Sequence, residues 1–226
     1  MAARPTLRSL TGARAEPNRL SETALVMIDC QNTYREGVMA LDGVEEALDE
    51  AQSLLSRARA LGSPIIHIRH DSGAGTPYDI NAEVGQIADK VAPLEGEPVV
   101  TKNYPSSFEK TELDALLKER KLEKLTLAGF MTHMCVNSPA RAGFNLGYDV
   151  TVVASATASR SLPDPRGGDI SSAAVHANAL AAMNDLFALV TPKASDVPDC
   201  ACAFAAWDPA APPHRDRSTS NADIHR

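Results

Sequence analysis

The sequence predicts an α/β fold with three layers (α/β/α), in which helices cover both faces of an open, mostly parallel, six-stranded sheet of Rossmann-like type. Six short apolar runs, several rich in Val and Ile, have the character of buried strands. Helical patterns lie between these runs, which favours strand–helix–strand units. A chain of 226 residues suits one such domain with a full core.

The six strands are expected to be continuously apolar because both faces of a central parallel strand are buried. They are predicted at residues 24–29, 64–69, 98–102, 125–129, 149–154 and 187–191. Right-handed crossovers should join them.

Four helices are predicted between or after these strands. The clearest covers about residues 44–58, where apolar side chains recur every three or four residues and stop before Gly62. A second follows Thr111, where Thr-Glu-Leu-Asp resembles a capping box. A third is expected over about 134–146 and a fourth over about 172–186.

The remaining segments set the boundaries of the domain, which is predicted to span residues 20–197. Residues 1–19 are expected to form a disordered tail. Residues 70–97 form a long connection with several glycines at a strand end, which predicts a pocket wall. Residues 198–226 are rich in Pro, Ala, Asp and Ser, and we expect them to be disordered or to wrap a neighbouring subunit.

Composition restricts the class of partner. The net charge of −7 and the pI near 5.4 leave no basic stripe, which argues against nucleic acid and anionic membranes. No window holds the roughly 20 apolar residues of a membrane span, and the N-terminus lacks a secretory apolar region. We therefore expect a cytoplasmic protein that binds a small molecule.

The four cysteines are Cys30, Cys135, Cys200 and Cys202, and their spacing matches neither a disulfide framework nor zinc knuckles. A reducing compartment fits this pattern. The Cys200-Ala-Cys202 pair is a weak redox or metal candidate, because no further ligands accompany it.

Cys135 occupies the most informative position, after an apolar strand that stops at a glycine and at the start of the next predicted helix. A thiolate there would be stabilised by the helix dipole and reactive near neutral pH. The N–H groups of the same turn could hold an oxyanion. The alternative is a buried, inert cysteine that packs as a small hydrophobe.

Asp29 and Lys102 end two other predicted strands, and the carboxyl ends of parallel strands form the ligand crevice. Asp29 could take the thiol proton, Lys102 could hold the carboxylate, and Cys135 could attack a carbonyl. Alternatively, Asp29 caps a turn and Lys102 is a solvated surface lysine.

Three segments carry a resemblance to a known family: Val-Met-Ile-Asp29-Cys-Gln-Asn-Thr-Tyr, then Lys102-Asn-Tyr-Pro-Ser-Ser-Phe, then Ala-Gly-Phe-Met-Thr-His-Met-Cys135-Val-Asn-Ser with Ala140-Arg141. In this order and spacing, the chain resembles the isochorismatase-like cysteine hydrolases over roughly residues 20–192. That family includes nicotinamidases, N-carbamoylsarcosine amidohydrolases and streptothricin hydrolases.

The resemblance implies a catalytic triad of Asp29, Lys102 and Cys135 and a thioester intermediate that water resolves. It also implies a non-proline cis peptide between Phe130 and Met131, with the N–H groups of Met131 and Cys135 facing the oxyanion. By analogy with the family, a homo-oligomer, either a dimer or a tetramer, is expected.

Nicotinamidases bind a metal through an Asp-x-His motif and a later His, and this chain lacks that spacing around His67 and His70. We therefore predict no metal and no cofactor. His67 is expected to be a core histidine, whereas His70 is expected to face the pocket. The other candidate substrate-binding residues are aromatic: Tyr34, Tyr104, Phe108 and Phe130.

Isochorismatases proper hydrolyse a vinyl ether and lack the nucleophilic cysteine, so Cys135 favours hydrolysis of an amide-like C–N bond. Asp29 and Asp71 would suit a cationic substrate such as a streptothricin-like amide. Three alternatives remain: an ether hydrolase, a non-catalytic binding protein, and a thiol redox protein that pairs Cys135 with Cys30 or with the tail cysteines.

Overall fold

A six-stranded parallel sheet forms the centre of the protein in the computed structural model, which describes residues 4–200. Its strands lie in the spatial order β3-β2-β1-β4-β5-β8. Their bounds are β1 Ala24–Ile28, β2 Ile65–His70, β3 Val99–Lys102, β4 Lys124–Phe130, β5 Asp149–Ala158 and β8 Leu189–Thr191. The predicted fold class and all six strands are confirmed.

Helices cover both faces of this sheet. They are α1 Leu7–Leu10, α2 Val44–Ala60, α3 Leu113–Glu119, α4 Asn137–Asn145 and α5 Ser172–Asp185. Side chains of α2 share one apolar cluster with Leu25 and Met27. Side chains of α3, α4 and α5 share the other with Val26 and Ile28. Alternate residues of β1 therefore point into opposite layers, which is why the whole strand is apolar.

The strand order reverses between β1 and β4, because the chain proceeds outward from β1 through β2 to β3 and then returns to β4 on the other side. In open parallel sheets, the crevice at such a reversal is where ligands bind. Asp29 follows β1 directly, and Cys135 comes soon after β4.

Two details differ from the sequence predictions near that crevice. The third helix begins at Asn137, after a separate π-helical turn over Thr132–Val136 that contains Cys135. A small antiparallel hairpin, β6 Leu162–Pro163 with β7 Asp169–Ile170, was not predicted. Strands of two residues leave too short a pattern to be recognised in sequence.

Residues 4–19 pack on the domain, which differs from the disordered tail predicted over residues 1–19; residues 1–3 lie outside the described residues. Asn18 is fully buried, and its side chain donates to the carbonyls of Leu125 and Asp149 at 3.1 and 2.9 Å. Its backbone N–H donates to Thr151 Oγ1. Hydrogen bonds to residues near the start of β4 and β5 hold this segment in place, and composition could not reveal them.

At the other end, Pro198 and Asp199 accept backbone hydrogen bonds from Leu20 and Ser21. Residues 201–226 of the predicted tail, including Cys202, lie outside the described residues. Within residues 4–200, no helix is both long and apolar enough to span a membrane.

Gly129 allows β4 to approach β1 as it reaches the crevice. A Cβ at this position would overlap the carbonyl oxygen of Ile28, and the φ of Gly129 is 119°. The register of β4 against β5 also shifts between Leu127 and Gly129. Only glycine fits this backbone and this close contact.

We expect Gly129→Ala to lower the free energy of unfolding by more than about 3 kcal/mol, because neither backbone can move without breaking the sheet. Gly143→Ala in α4 is the matched control, since its added Cβ would meet only side chains, the nearest being Val150 at 3.3 Å. Urea unfolding of both variants measures the difference. Equal midpoints for the two would contradict this account.

Candidate active site

Asp29 lies immediately after β1, at the point where the chain leaves the sheet. Its backbone is in the left-handed region, with φ of 47°, and its N–H donates to the carbonyl of Ile68 at 2.9 Å. The side chain is 0 % exposed. An apolar strand thus ends in a buried carboxylate, which needs a positive partner.

Lys102 is that partner. It is the last residue of β3, and β2 separates β3 from β1, so the lysine side chain must pass over the end of β2. Its Nζ lies 2.7 Å from Asp29 Oδ2, 3.4 Å from Cys135 Sγ and 3.1 Å from His70 Nδ1. The three residues predicted at separate strand ends are therefore in contact around one ammonium group.

Burial dominates the electrostatics of the Asp29–Lys102 pair. It raises the pKa of the Asp29 carboxyl, although the Lys102 charge opposes the shift. Burial alone would lower the pKa of Lys102, but the charges of Asp29 and Cys135 raise it. Within the described residues, neither carboxylate oxygen of Asp29 accepts a well-aligned hydrogen bond. Asp29 can therefore accept a proton while Lys102 remains charged.

Cys135 lies in the π-helical turn between β4 and α4. The carbonyl of Met131 accepts N–H groups from Met134 and Val136, which closes this turn. The peptide bond between Phe130 and Met131 is cis, as the family resemblance implied. The turn brings Cys135 to Lys102, and the thiol side chain is almost fully buried.

The predicted lowering of the thiol pKa is wrong. Burial and the nearby Asp29 charge raise the pKa of Cys135 to about 12, against which the Lys102 charge acts only in part. The sequence argument considered a solvent-exposed helix end, whereas Cys135 is enclosed. At neutral pH the free site thus holds a neutral thiol beside the side chains of Asp29 and Lys102.

Aromatic rings surround one side of these groups. Tyr34 is buried, and its ring centroid lies 5.7 Å from that of Phe130 and 5.9 Å from that of Tyr78. The His70 ring packs edge-on against Tyr78, with centroids 4.9 Å apart. Of the predicted pocket residues, Tyr34, His70 and Phe130 therefore lie on the same side of the site as Asp29, Lys102 and Cys135.

Phe108 and Tyr104 do not join this group. Phe108 stacks on Tyr148 at 5.7 Å and lies beside Gly143, near the end of α4 that is remote from Cys135. Tyr104 is exposed, and its hydroxyl accepts a hydrogen bond from Lys110. The Phe108 ring thus packs in the core beneath α4, and its role in the pocket stays a prediction.

Two residues that the sequence argument did not single out hold the long connection over the site. Gln31 is buried, donates to the carbonyls of His70 and Gly85, and accepts the N–H of His70. Tyr78 contacts both Tyr34 and His70. Gln31 comes two residues after Asp29, and this closeness to a carboxylate at a strand end is the one sequence signal that could have indicated its role in the site.

His67 is a paired core histidine, as predicted. Its Nε2 lies 2.9 Å from Glu97 Oε2, and Arg59 also contacts that carboxylate. The Arg59 hydrogen bond is the main reason that the pKa of Glu97 falls to about 2. Nowhere in residues 4–200 do three His, Cys, Asp or Glu side chains gather as a metal site would require.

Comparison with known proteins agrees with this architecture. A family model for the isochorismatase domain matches residues 23–195. A secreted isochorismatase effector, Isc1, of Verticillium dahliae is 36% identical over 159 residues, which cover 70% of this chain and 84% of that protein. Streptothricin hydrolase of Streptomyces noursei is 31% identical over 177 residues, 77% of this chain and 64% of that protein.

Among solved structures, an isochorismatase from Pseudomonas putida KT2440 superposes with a TM-score of 0.82 at 38% identity. The match covers 85% of this chain and 99% of that one. The matched domain contains the whole sheet and all three clustered residues, so this chain belongs to the isochorismatase family of hydrolases.

Proposed function

We propose that this protein is a cysteine-dependent hydrolase that cleaves a C–N bond of a small amide-like molecule through a thioester on Cys135. One observation carries the proposal: a single buried ammonium group, that of Lys102, contacts both the Asp29 carboxylate and the Cys135 thiol. A nucleophile, a base and a fixed positive charge are thus within reach of one another.

In the first step, the Asp29 carboxylate takes the proton from Sγ as the sulfur attacks the substrate carbonyl carbon. The carbonyl oxygen gains a negative charge, and the backbone N–H groups of Met131 and Cys135 are the proposed donors to it. Lys102 remains protonated and balances the charge that moves between Asp29 and the sulfur. The intermediate collapses when the C–N bond breaks and Asp29 returns its proton to the leaving nitrogen.

In the second step, water replaces the amine. Asp29, again a carboxylate, takes one proton from the water as its oxygen attacks the thioester carbon. The C–S bond then breaks, and the sulfur recovers the proton from Asp29. The products are an acid and ammonia or an amine, and the enzyme returns to its initial state.

The direction of both pKa shifts suits these roles. A carboxylate whose pKa is raised is a stronger base, and a thiol whose pKa is raised stays protonated until a base acts on it. The resting site is therefore a neutral thiol with an available base, rather than a preformed thiolate.

The relatives support C–N chemistry without identifying the substrate. One is named a streptothricin hydrolase, and a second, from Stutzerimonas stutzeri, is named a ureidoacrylate amidohydrolase and is 32% identical over 183 residues. A streptothricin-like amide and a carbamoyl compound are accordingly our two candidate substrate classes. Asp29 is neutralised by Lys102, so recognition of a cationic substrate would fall to Asp71.

The second candidate function is hydrolysis of an ether of the isochorismate type. The relative from Verticillium dahliae and the structure from Pseudomonas putida are both named isochorismatases, which favours it. That reaction does not require a sulfur nucleophile, so the activity of Cys135 variants distinguishes the two candidate functions.

One prediction from this mechanism concerns turnover of amides, ureas, carbamoyl compounds and streptothricins. We expect Cys135→Ala to lower turnover of the substrate found by at least about a thousandfold, because no acyl acceptor remains. Released ammonia or amine is measured, together with an acyl adduct on Cys135 by intact mass.

Cys30→Ala is the matched control, since Cys30 is also a buried free thiol but donates only to the Ile28 carbonyl. It should retain activity within about threefold. Full activity of Cys135→Ala on an amide would refute the mechanism. Turnover of isochorismate alone, unaffected by Cys135→Ala, would establish the ether reaction instead.

Another prediction from this mechanism concerns the pH dependence of Cys135 alkylation by iodoacetamide. Protonation of Asp29 removes the base, so the rate falls as the pH drops through the carboxyl pKa; between that pKa and the thiol pKa of about 12 the rate should stay flat. In Asp29→Asn the thiol must ionise by itself, and the rate should rise roughly tenfold per pH unit over that range.

Asp42→Asn is the control for this experiment, because Asp42 accepts from Ser172 and lies outside the triad. It should keep the flat profile. A flat profile in Asp29→Asn would show that Asp29 is not the base.

A further inference from the structure

We propose that His70 is a positioning residue for Lys102: its unprotonated Nδ1 accepts one ammonium N–H and so directs the other two at Asp29 and Cys135. This inference rests on the proposed triad mechanism, but it assigns His70 a role that differs from the substrate contact predicted from sequence.

The contacts of the ammonium group lead to this assignment. A lysine ammonium has three N–H donors and no acceptor. Lys102 Nζ has three neighbours at contact distance, namely Asp29 Oδ2 at 2.7 Å, His70 Nδ1 at 3.1 Å and Cys135 Sγ at 3.4 Å. His70 Nδ1 and Cys135 Sγ are at hydrogen-bond distance, whereas Asp29 Oδ2 is the ion-pair partner. His70 is the one of these three neighbours that takes no part in the proposed chemistry.

The same contact determines the tautomer of His70. Since the ammonium can only donate, Nδ1 must accept, and the ring proton resides on Nε2, which lies 3.0 Å from Ser72 Oγ. Burial and the Lys102 charge both lower the pKa of His70, which keeps the ring neutral, although Asp29 and Asp71 act in the opposite sense. Both ring nitrogens are thus engaged within the chain.

Sheet topology explains why the Lys102 side chain needs a positioning residue at the end of β2. Lys102 reaches Asp29 only by crossing the end of β2, and His70 is the last residue of β2, paired directly with Lys102 in the register. A flexible lysine side chain over a strand end could adopt many rotamers. The imidazole of His70, at the end of β2, limits the rotamers that the Lys102 side chain can adopt.

His70 is itself held rigidly. The Gln31 side chain accepts its N–H at 2.9 Å and donates to its carbonyl at 3.0 Å, while Tyr78 packs against the ring. Gln31 therefore holds His70 in place, and His70 in turn holds the ammonium group of Lys102.

The test compares His70→Asn with His70→Gln. Asn places an amide oxygen near the position of Nδ1, whereas Gln places it near Nε2, so only Asn can accept from Lys102. Both variants keep a polar side chain on the same strand end, and thermal unfolding checks that both are folded. Ser72→Ala is the further control, because it changes only the partner of the far nitrogen.

The main readout is the rate at which iodoacetamide alkylates Cys135, followed on its tryptic peptide by mass spectrometry. We expect His70→Gln to react roughly tenfold more slowly than the wild type, and His70→Asn and Ser72→Ala to stay within about threefold. With a substrate, kcat should fall in His70→Gln while KM changes less than about twofold.

Equal alkylation rates in wild type and His70→Gln would overturn the inference. So would equal loss in His70→Asn and His70→Gln when both are folded, or a rise in KM with unchanged kcat, which would indicate a substrate contact. Alkylation needs no substrate, so a chain that turns over no amide would defeat the proposed function and still leave this test decisive.

Discussion

The buried ion pair between Asp29 and Lys102 is the interaction on which the rest of the site depends. Both side chains are withdrawn from water, and an isolated charge in either place would cost several kcal/mol. Each therefore requires the other, and the pair requires the ends of β1 and β3 to be held at a set distance by β2 between them. The parallel sheet provides that distance.

The pair also determines the state of the thiol. Cys135 lies against a lysine whose charge is already largely balanced by Asp29, so burial prevails and the thiol stays protonated. This differs from cysteine enzymes that store a thiolate at an exposed helix end. In the mechanism that we propose, such a site holds little net charge in its resting state, and the nucleophile forms only as the proton moves to Asp29.

Much of the fold and the centre of the site could be predicted from sequence. Strands β1, β3 and β4 are apolar runs that stop at a polar or glycine-containing segment, so the ends that carry Asp29 and Lys102 were visible. The errors concern what surrounds particular residues rather than where those residues lie along the strands. Burial of Cys135, the packing of Phe108 on Tyr148, and the anchoring of Asn18 depend on residues distant in sequence. The sequence shows no local sign of these contacts.

The sequence by itself determined which residue types end which strands, because apolar periodicity and strand termination are local properties. It thereby determined that an acid, a lysine and a cysteine would share one edge of the sheet. Only the tertiary structure decided their ionisation states and their partners. Solvent exclusion and contacts at 3 Å arise when separate segments pack together, as Gln31, His70 and Lys102 do here.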